Sequence, residues 1–358
     1  MVALKIWIDA ITPKQLLLFR RIASRLEKKG ADVYITSRNY HDTNYLVERL
    51  GMNVKSIGSH GGIDKRGKLE ASLNRSLQLL EFVTENKPDF CISFSSPEAA
   101  RVSTGLGISH YSVNDSPHSV WVAKLTLPLS ELLFHPWVIP SSAWLSYGIR
   151  RSNLFAYKAL DPAAWLKDRA SWPKPNYIED SAKGCIIYRP TEYMASYIDS
   201  SNYDIDLIRL LSERFPDDRI IILARYGEEA TRYRDVSAMN VSVVDSPFFG
   251  PNILQHAKLL IGGGGTMNAE AALLGIPVIS VYPGGATYVD KYLISKGLLV
   301  RAKDSKDAVK KAFDILADTE KIRENRTKSA KELESMDDPS EVVANKVLVH
   351  FRSVKSHR

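Results

Sequence analysis

The sequence predicts an α/β protein built from two doubly wound domains. Short apolar runs typical of buried strands alternate with longer segments of helical periodicity, and this alternation stops near the middle of the chain and then restarts. Such a rhythm predicts parallel strands with helices on both faces of each sheet. A chain of 358 residues with 44% hydrophobic content can also bury two cores of ordinary size.

The first domain is predicted over residues 1–165. Its first apolar run ends at Asp9, and Thr12 followed by Pro13 is a usual helix start. The later apolar runs and periodic segments follow in the same alternation. The predicted strands cover residues 4–9, 32–36, 53–57, 89–94 and 109–113, with helices over 13–29, 43–50, 68–86 and 96–105.

A linker is predicted at residues 166–183, where prolines and acidic residues interrupt the periodicity. The second domain follows over residues 184–337, and a helix over residues 338–358, begun by Pro339, is expected to return to the first domain. The strands predicted for the second domain cover residues 184–188, 219–223, 241–244, 259–261, 278–281 and 298–302, with helices near 204–215, 252–257, 266–274 and 288–296.

Residues 259–283 are the most informative segment of the chain. They form a pattern of buried strand, four glycines at 262–265, short helix and second buried strand. Residues without Cβ allow a ligand to approach the backbone, and the free N–H groups of a helix that begins near Thr266 suit a phosphate. Glu270, one helical turn later, could accept hydrogen bonds from ribose hydroxyls. The alternative is that the glycines only allow tight strand–helix packing.

Two familiar nucleotide motifs do not match this segment. A dinucleotide fingerprint requires a third glycine where Met267 or Asn268 stands, and a Walker loop requires a lysine that does not follow Gly265. The pattern therefore indicates nucleotide-diphosphate binding of another type.

On these residues the chain resembles the GT-B proteins, which include UDP-sugar glycosyltransferases and non-hydrolysing UDP-N-acetylglucosamine 2-epimerases. It is still more similar to the domain-of-unknown-function 354 family, through residues 8–14, 113–118, 188–190 and the glycine segment. The resemblance covers nearly the whole chain and implies two Rossmann-like domains that face a cleft. It implies a UDP-sugar substrate, no further cofactor, and donor contacts from the second domain. These expected donor contacts are Arg189, Gly263, Gly264, Gly265, Thr266, Asn268, Glu270 and Phe248, with Phe249 as the alternative aromatic.

The chain departs from the epimerases at two motifs. Where their strand end carries HRRE, residues 189–192 read RPTE, and their amino-terminal GTRPE motif is missing. These differences count against epimerase chemistry.

Polar residues that follow strands of the first domain are the candidates for chemistry, because ligands lie beyond the carboxyl ends of parallel strands. Asp115 and His118 follow one apolar run, and either could act as the general base towards an acceptor hydroxyl. Asp9 is the fallback base, and Lys14 could meet the acceptor or the donor phosphate. The alternatives are an Asx-turn at residues 114–118 and simple capping of the first helix by Thr12.

The distribution of charge indicates which classes of partner the protein is expected to bind. Residues 1–165 hold 20 basic and 14 acidic residues, against 28 and 27 in the remainder, which suits an anionic acceptor such as a lipid-linked phosphate or an acidic membrane surface. Nucleic acid is not favoured, because aromatic and basic residues are not interleaved.

The sequence contains no Cys/His cluster, so no metal site is predicted. Cys91 and Cys185 lie in apolar runs and are expected to be reduced thiols of a cytoplasmic protein, peripheral to a membrane at most.

The sequence thus predicts a glycosyltransferase that moves a sugar from a UDP-sugar to an acceptor held by the first domain. A sugar-nucleotide epimerase and a non-catalytic nucleotide-sugar sensor or partner subunit are the alternatives. The sugar, the acceptor and the oligomeric state stay open.

Overall fold

The computed structural model describes residues 3–62, 64–191, 201–225, 227–236 and 238–355. The chain divides into two compact units. Unit 1 comprises Met1–Trp165 with Met336–Arg358, and unit 2 comprises Leu166–Ser335. Each unit contains one parallel sheet with helices.

Unit 1 is organised around a seven-stranded parallel sheet, counted over the described residues. Its strands are β1 (Lys5–Asp9), β2 (Asp32–Asn39), β3 (Val54–Ser59), β4 (Phe90–Ser93), β5 (Ser109–Val113), β6 (Leu132–Pro136) and β7 (Leu154–Tyr157). Its helices before the chain enters unit 2 are α1 (Pro13–Glu27), α2 (His41–Arg49), α3 (Lys65–Asn86), α4 (Pro97–Gly105), α5 (Val120–Thr126), α6 (Ser142–Leu145) and α7 (Ala163–Leu166).

The strand order in unit 1 is β3-β2-β1-β4-β5-β6-β7, so the order reverses between β1 and β4. Polar residues after these two strands therefore meet at the point where parallel α/β sheets bind ligands. β6 and β7 were not predicted. β6 lies between Pro128 and Pro140 and ends at Pro136, and prolines are typical of turns rather than strands, while β7 has only four residues.

Unit 2 contains a six-stranded parallel sheet within the described residues, in the order β10-β9-β8-β11-β12-β13. Its strands are β8 (Ile186–Arg189), β9 (Ile220–Leu223), β10 (Val241–Val244), β11 (Leu259–Gly262), β12 (Val278–Ser280) and β13 (Val300–Arg301). Its helices are α8 (Tyr177–Ser181), α9 (Ser201–Arg214), α10 (Gly227–Val236), α11 (Gly250–Leu254), α12 (Thr266–Leu273), α13 (Tyr288–Ser295), α14 (Ser305–Ala317) and α15 (Thr319–Ser335). This is the strand order of a dinucleotide-binding Rossmann domain, and it reverses between β8 and β11.

Residues 166–183, predicted as a linker, fold as part of unit 2. A capping box joins Asn176 and Glu179 at the start of α8. Glu179 also holds this helix to α11. Its Oε1 accepts a hydrogen bond from the Phe249 N–H, and its Oε2 accepts one from the Asn252 side-chain amide. The segment is therefore packed structure rather than an extended connection.

The last helix, α16 (Pro339–Lys355), belongs to unit 1. It packs on α1, where Arg25 forms an ion pair with Asp338 at 2.8 Å. Further along, His350 contacts Tyr111 of β5, and the Phe351 ring lies 4.8 Å from that of Phe90. Among the described residues, no helix is both long and apolar enough to span a membrane.

Candidate functional site

The glycine segment lies at the strand-order reversal of unit 2. β11 ends at Gly262, which pairs in register with Arg189 at the end of β8. The turn then leads directly into α12. Because both strands point the same way, their carboxyl ends bring the glycine turn and the residues after β8 to one edge of the sheet.

The glycines of the turn have different roles. A Cβ at Gly263 would lie 2.3 Å from the Thr191 backbone nitrogen, so this glycine is needed for close packing against the segment after β8. Gly264 has a φ of +100° and lies against the Tyr282 side chain. Gly265 has a φ of +83°, and a Cβ there would meet nothing within 4 Å. The packing interpretation therefore describes Gly263, whereas Gly265 faces open space at the start of a helix.

The polar residues of α12 lie in different surroundings. Asn268 is fully buried beneath the turn, where its amide donates to the Gly262 carbonyl at 3.4 Å, so it supports the backbone of the turn. Glu270 is also buried and packs against Gly250 at the start of α11, where a side chain would not fit easily because its Cβ would lie 3.0 Å from Glu270 Oε2. Thr266, at the first helical position, is half-buried beside Gly265.

Arg189 and Phe248 lie together near the end of β8. The guanidinium donates to the Leu223 and Ala224 carbonyls at 2.9 and 3.0 Å, and it lies 5.6 Å from the centre of the Phe248 ring. Phe248 is half-buried, whereas Phe249 is buried against Trp172. Of the two aromatic residues considered from the sequence, Phe248 is thus the accessible one. Glu192, the last residue of the RPTE segment, lies outside the described residues.

In unit 1, Lys14 joins two carboxylates that are distant in sequence. Its ammonium forms a short ion pair with Asp115 and another with Asp161 at 2.7 Å, and it lies 4.5 Å from the centre of the Phe94 ring. The Asp161 side chain is 1% exposed and accepts a hydrogen bond from the Tyr157 hydroxyl, while those of Lys14 and Asp115 are 16% and 21% exposed. Solvent and a ligand therefore reach Asp115 and Lys14, with Asp161 behind them.

Burial and charge move the pKa values of the two carboxyls in opposite directions. Burial alone would raise the pKa of Asp115, but the charge and hydrogen bond of Lys14, together with the Ser116 hydroxyl and the charge of His118, outweigh it and hold that pKa below its usual range. Burial dominates at Asp161, whose pKa is raised although Lys14 partly offsets the effect. Burial would lower the pKa of Lys14, but its two carboxylate neighbours raise it, so the amine stays protonated. One reachable carboxylate thus stays ionised beside a less acidic one.

Asp115 lies within an Asx-turn formed by residues 114–116, as the alternative interpretation of residues 114–118 expected. The Ser116 N–H donates to Asn114 Oδ1 at 2.7 Å, and the Ser116 hydroxyl donates to Asp115 at 2.8 Å. His118 is exposed in the same segment. The turn and the ion pair coexist, because the turn presents Asp115 towards Lys14.

Asp9 is committed to a buried ion pair. Both of its oxygens accept hydrogen bonds from the Arg75 guanidinium, at 2.6 and 3.1 Å, and the Thr36 hydroxyl donates to Oδ1. Burial would raise the pKa of Asp9, but the charge and hydrogen bonds of Arg75 outweigh it and hold the pKa below its usual range. With no exposed surface, Asp9 braces β1 against α3 and is not placed to reach a substrate.

Thr12 caps α1, since its hydroxyl accepts from the Gln15 N–H and Pro13 occupies the first turn. Thr12 thus has the capping role that was the alternative interpretation of this residue. Lys14, on the same turn, forms ion pairs with Asp115 and Asp161.

His110 forms a buried polar contact on β5 and predicts a pH dependence. Its ring nitrogens lie 2.8 and 3.1 Å from the Ser93 and Ser130 hydroxyls, and burial lowers its pKa from 6.5 to about 4. The neutral ring stabilises the fold fully above pH 6.5, and this contribution is lost as the pH falls from 6.5 towards 4. We expect the loss to reach about 3 kcal/mol, at about 1.4 kcal/mol per pH unit.

Urea unfolding across this pH range measures the effect of His110. The His110→Gln variant keeps a polar side chain without a titrating ring, so its unfolding free energy should fall less between pH 6.5 and 4 than that of the wild type. Equal pH dependence in both proteins would show that His110 does not carry this term.

Three residues of these clusters were not predicted from the sequence as site residues: Arg75, Asp161 and Tyr157. Asp161 lies in the part of the first domain, after residue 113, for which no strand was predicted. It follows β7, so recognition of the apolar run Leu154–Tyr157 as a strand would have marked it as a residue at a strand end. Arg75 carries no such signal, because a helix interior gives no indication of which distant carboxylate it meets.

Comparison with known proteins identifies a family. The model of a family described as protein of unknown function (DUF354) matches residues 4–351. An uncharacterized protein of Methanocaldococcus jannaschii is 31% identical over 325 residues, which span 88% of this chain and 93% of that protein.

Solved structures with a similar fold include two kinds of enzyme. The UDP-GlcNAc 2-epimerase of Methanocaldococcus jannaschii in complex with UDP-GlcNAc and UDP has a TM-score of 0.76 at 16% identity, covering 97% of this chain and 100% of that one. The UDP-GlcNAc 2-epimerase from Neisseria meningitidis bound to UDP-GlcNAc has a TM-score of 0.72 at 14% identity, covering 97% and 99%. The glycosyltransferase SnogD from Streptomyces nogalater has a TM-score of 0.63 at 13% identity, covering 98% and 100%. At these identities the likeness establishes the GT-B fold.

Proposed function

Because the chain belongs to the domain-of-unknown-function 354 family and has the GT-B fold, we propose that it is an enzyme that transfers a sugar from a UDP-sugar to an acceptor. The observation that carries this proposal is the glycine turn before α12. Gly265 faces open space at the start of an eight-residue helix, whose free N–H groups and dipole favour a phosphate there.

Unit 2 holds the donor in this proposal. The diphosphate lies on the turn at Gly264, Gly265 and Thr266, and Asn268 and Gly263 keep the turn in place. Glu270, one helical turn further along, accepts hydrogen bonds from the ribose hydroxyls. Phe248 packs on the uracil, with Arg189 alongside to balance the charge of the departing UDP.

Asp115 acts as the general base in unit 1. Its carboxylate removes the proton of an acceptor hydroxyl, the hydroxyl oxygen bonds to the anomeric carbon, and the bond from that carbon to the UDP oxygen breaks with its electron pair leaving on UDP. Lys14 orients Asp115, and Asp161 orients Lys14 as a positioning residue. His118 is exposed and forms no part of this ion-pair cluster, but its charge helps to lower the pKa of Asp115. We therefore assign it an orienting role towards Asp115.

A sugar-nucleotide epimerase is the second candidate, and one observation favours it. Asp115 and Asp161 share one ammonium while their pKa values shift in opposite directions, which is the arrangement of a paired base and acid. Epimerisation requires such a pair to remove and return a proton. The burial of Asp161 and the absence of the HRRE and GTRPE motifs favour transfer.

The fate of a labelled UDP-sugar decides between these candidates. UDP release only in the presence of an acceptor extract is the outcome for a transferase, and interconversion of sugars without UDP release is the outcome for an epimerase. Tight binding with neither reaction would overturn the enzyme proposal and leave a sensor or partner subunit.

Gly265→Ala tests the phosphate turn. Because φ is +83°, an alanine is strained by about 1–2 kcal/mol, and its Cβ would stand in the space assigned to the diphosphate. We expect UDP affinity, measured by calorimetry, to fall by about tenfold or more, or ~1.4 kcal/mol.

Gly297→Ala is the matched control, since Gly297 has a φ of +72° and also faces open space in unit 2. Both variants should lose similar stability, but only Gly265→Ala should lose UDP affinity. Equal UDP binding by the two folded variants would mean that the diphosphate is not held at this turn.

A further inference from the structure

A pocket of about 310 Å³ lies in unit 1, apart from the Lys14 cluster. It opens at the carboxyl edge of the sheet, beside the ends of β2 and β3 and the start of α4. Its lining residues are mostly polar. Those used in the argument are Arg38, Ser59, His60, Lys68, Arg75 and Glu98.

Arg38 brings a cation to this pocket that forms no ion pair with a described residue. Its Nε is buried and has no hydrogen-bond partner among the described residues, and its guanidinium lies 5.8 Å from the centre of the Tyr40 ring. Burial, and then the charge of Arg75, lower the pKa of Arg38, although the charges of Glu98 and Asp9 partly offset this shift. The charged side chain is thus held where its own surroundings disfavour it.

The other charged groups in the lining are already used. Arg75 is neutralised by Asp9 through two hydrogen bonds. Glu98 accepts hydrogen bonds from the Ser72 and Ser96 hydroxyls, at 2.6 and 3.2 Å. Neither Asp9 nor Glu98 forms an ion pair with Arg38, although the negative charges of both favour its charged form.

The start of α3 adds a second cation. Lys65, Arg66 and Lys68 lie in its first turn, where the helix dipole disfavours positive charge and where no acidic side chain follows the cap. Arg66 is paired with Glu70, but Lys68 lines the pocket and forms no ion pair with a described residue. The Lys68 side chain is exposed to solvent, so its charge is available to an anion bound in the pocket.

We propose that this pocket binds a phosphoryl group, held by Arg38 and Lys68. Two cations that form no ion pair with a described residue match a dianion better than a singly charged carboxylate. Ser59 and His60 supply further polar groups, and the His60 ring accepts the Gly62 N–H at Nδ1 so that Nε2 carries the proton of the neutral ring. In combination with the proposed transferase function, the phosphoryl group belongs to the acceptor.

Inorganic phosphate is the probe for the first test, with affinity measured by calorimetry on the whole chain. We expect Arg38→Gln and Lys68→Gln each to weaken phosphate binding by about 10- to 100-fold, the range for loss of one charged hydrogen-bond partner. Arg101→Gln, which removes an exposed cation of the same unit outside the pocket, should bind as the wild type does. Wild-type affinity in both pocket variants would overturn the proposal.

Thermal unfolding gives a second readout that does not depend on turnover. Phosphate should raise the melting temperature of the wild type and leave that of Arg38→Gln unchanged. Without phosphate, Arg38→Gln should melt no lower than the wild type, because the guanidinium is disfavoured in the empty pocket. A large loss of stability would instead assign Arg38 to the fold, and Lys68→Gln would then carry the binding test.

Two further probes distinguish a soluble phosphate from a lipid-linked phosphate as the source of the phosphoryl group. One is glycerol 3-phosphate, and the other is vesicles of phosphatidylcholine that contain phosphatidic acid. Binding of either probe that Arg38→Gln abolishes supports the proposal and identifies a soluble or a lipid-linked phosphate; binding of neither overturns it. UDP affinity should be unchanged in all variants, so failure of this pocket and failure of the UDP site give different results.

Discussion

Asp115→Asn is expected to lower turnover of the UDP-sugar by about 10²- to 10⁴-fold while leaving UDP affinity unchanged. The amide cannot accept the proton of the acceptor hydroxyl, and it no longer pairs with the Lys14 ammonium. Turnover is measured with the labelled donor, and UDP affinity by calorimetry. Loss of rate without loss of UDP binding would support the base role of Asp115.

Two variants show whether the effect belongs to Asp115. Asp32→Asn changes an exposed carboxylate at the start of β2 and should turn over normally. His118→Ala should have a smaller effect than Asp115→Asn. If both Asp115→Asn and His118→Ala turn over normally, the segment at residues 114–118 is only an Asx-turn. If both lose UDP binding while folded, the segment contacts the donor and the assignment of roles to the units is wrong.

Arg75→Met is expected to destabilise unit 1 by about 3–5 kcal/mol, the usual cost of removing one partner of a buried ion pair. Asp9 would be left as a buried carboxylate that still accepts from the Thr36 hydroxyl but has lost its cation, and the Ile57 carbonyl would lose its donor. Urea unfolding at pH 7 measures the effect.

Arg66→Met is the matched control on the same helix. Arg66 forms an exposed pair with Glu70, and such pairs contribute about 0.5 kcal/mol at most. The double variant Asp9→Asn with Arg75→Met should recover part of the lost stability, since no buried charge is then left without its partner. A loss of stability in Arg75→Met no greater than in Arg66→Met would show that the ion pair is not needed to brace β1.

The sequence predicted most strands of both sheets because each is a short apolar run with polar ends. It also indicated which residues are candidates for ligand contact, since Asp115 and the glycines lie at the ends of such runs. It missed β6, which lies among prolines, and the four-residue β7, and with β7 the position of Asp161 after a strand. The sequence could not separate the roles of Gly263 and Gly265 either. These roles depend on what surrounds each glycine in the folded chain, and the sequence does not show those surroundings.

The sequence by itself determined the fold class, the family and the strand ends that carry candidate residues, because periodicity and glycine turns act over a few neighbouring residues. Only the tertiary structure decided which charges meet. Lys14 reaches Asp115 across 101 positions of sequence, and Arg75 reaches Asp9 across 66. Such pairings depend on the order of strands in the sheet and on the helices that cross it. No local pattern encodes that order, so the separation of a reachable Asp115 from a buried Asp9 appears only once the chain is folded.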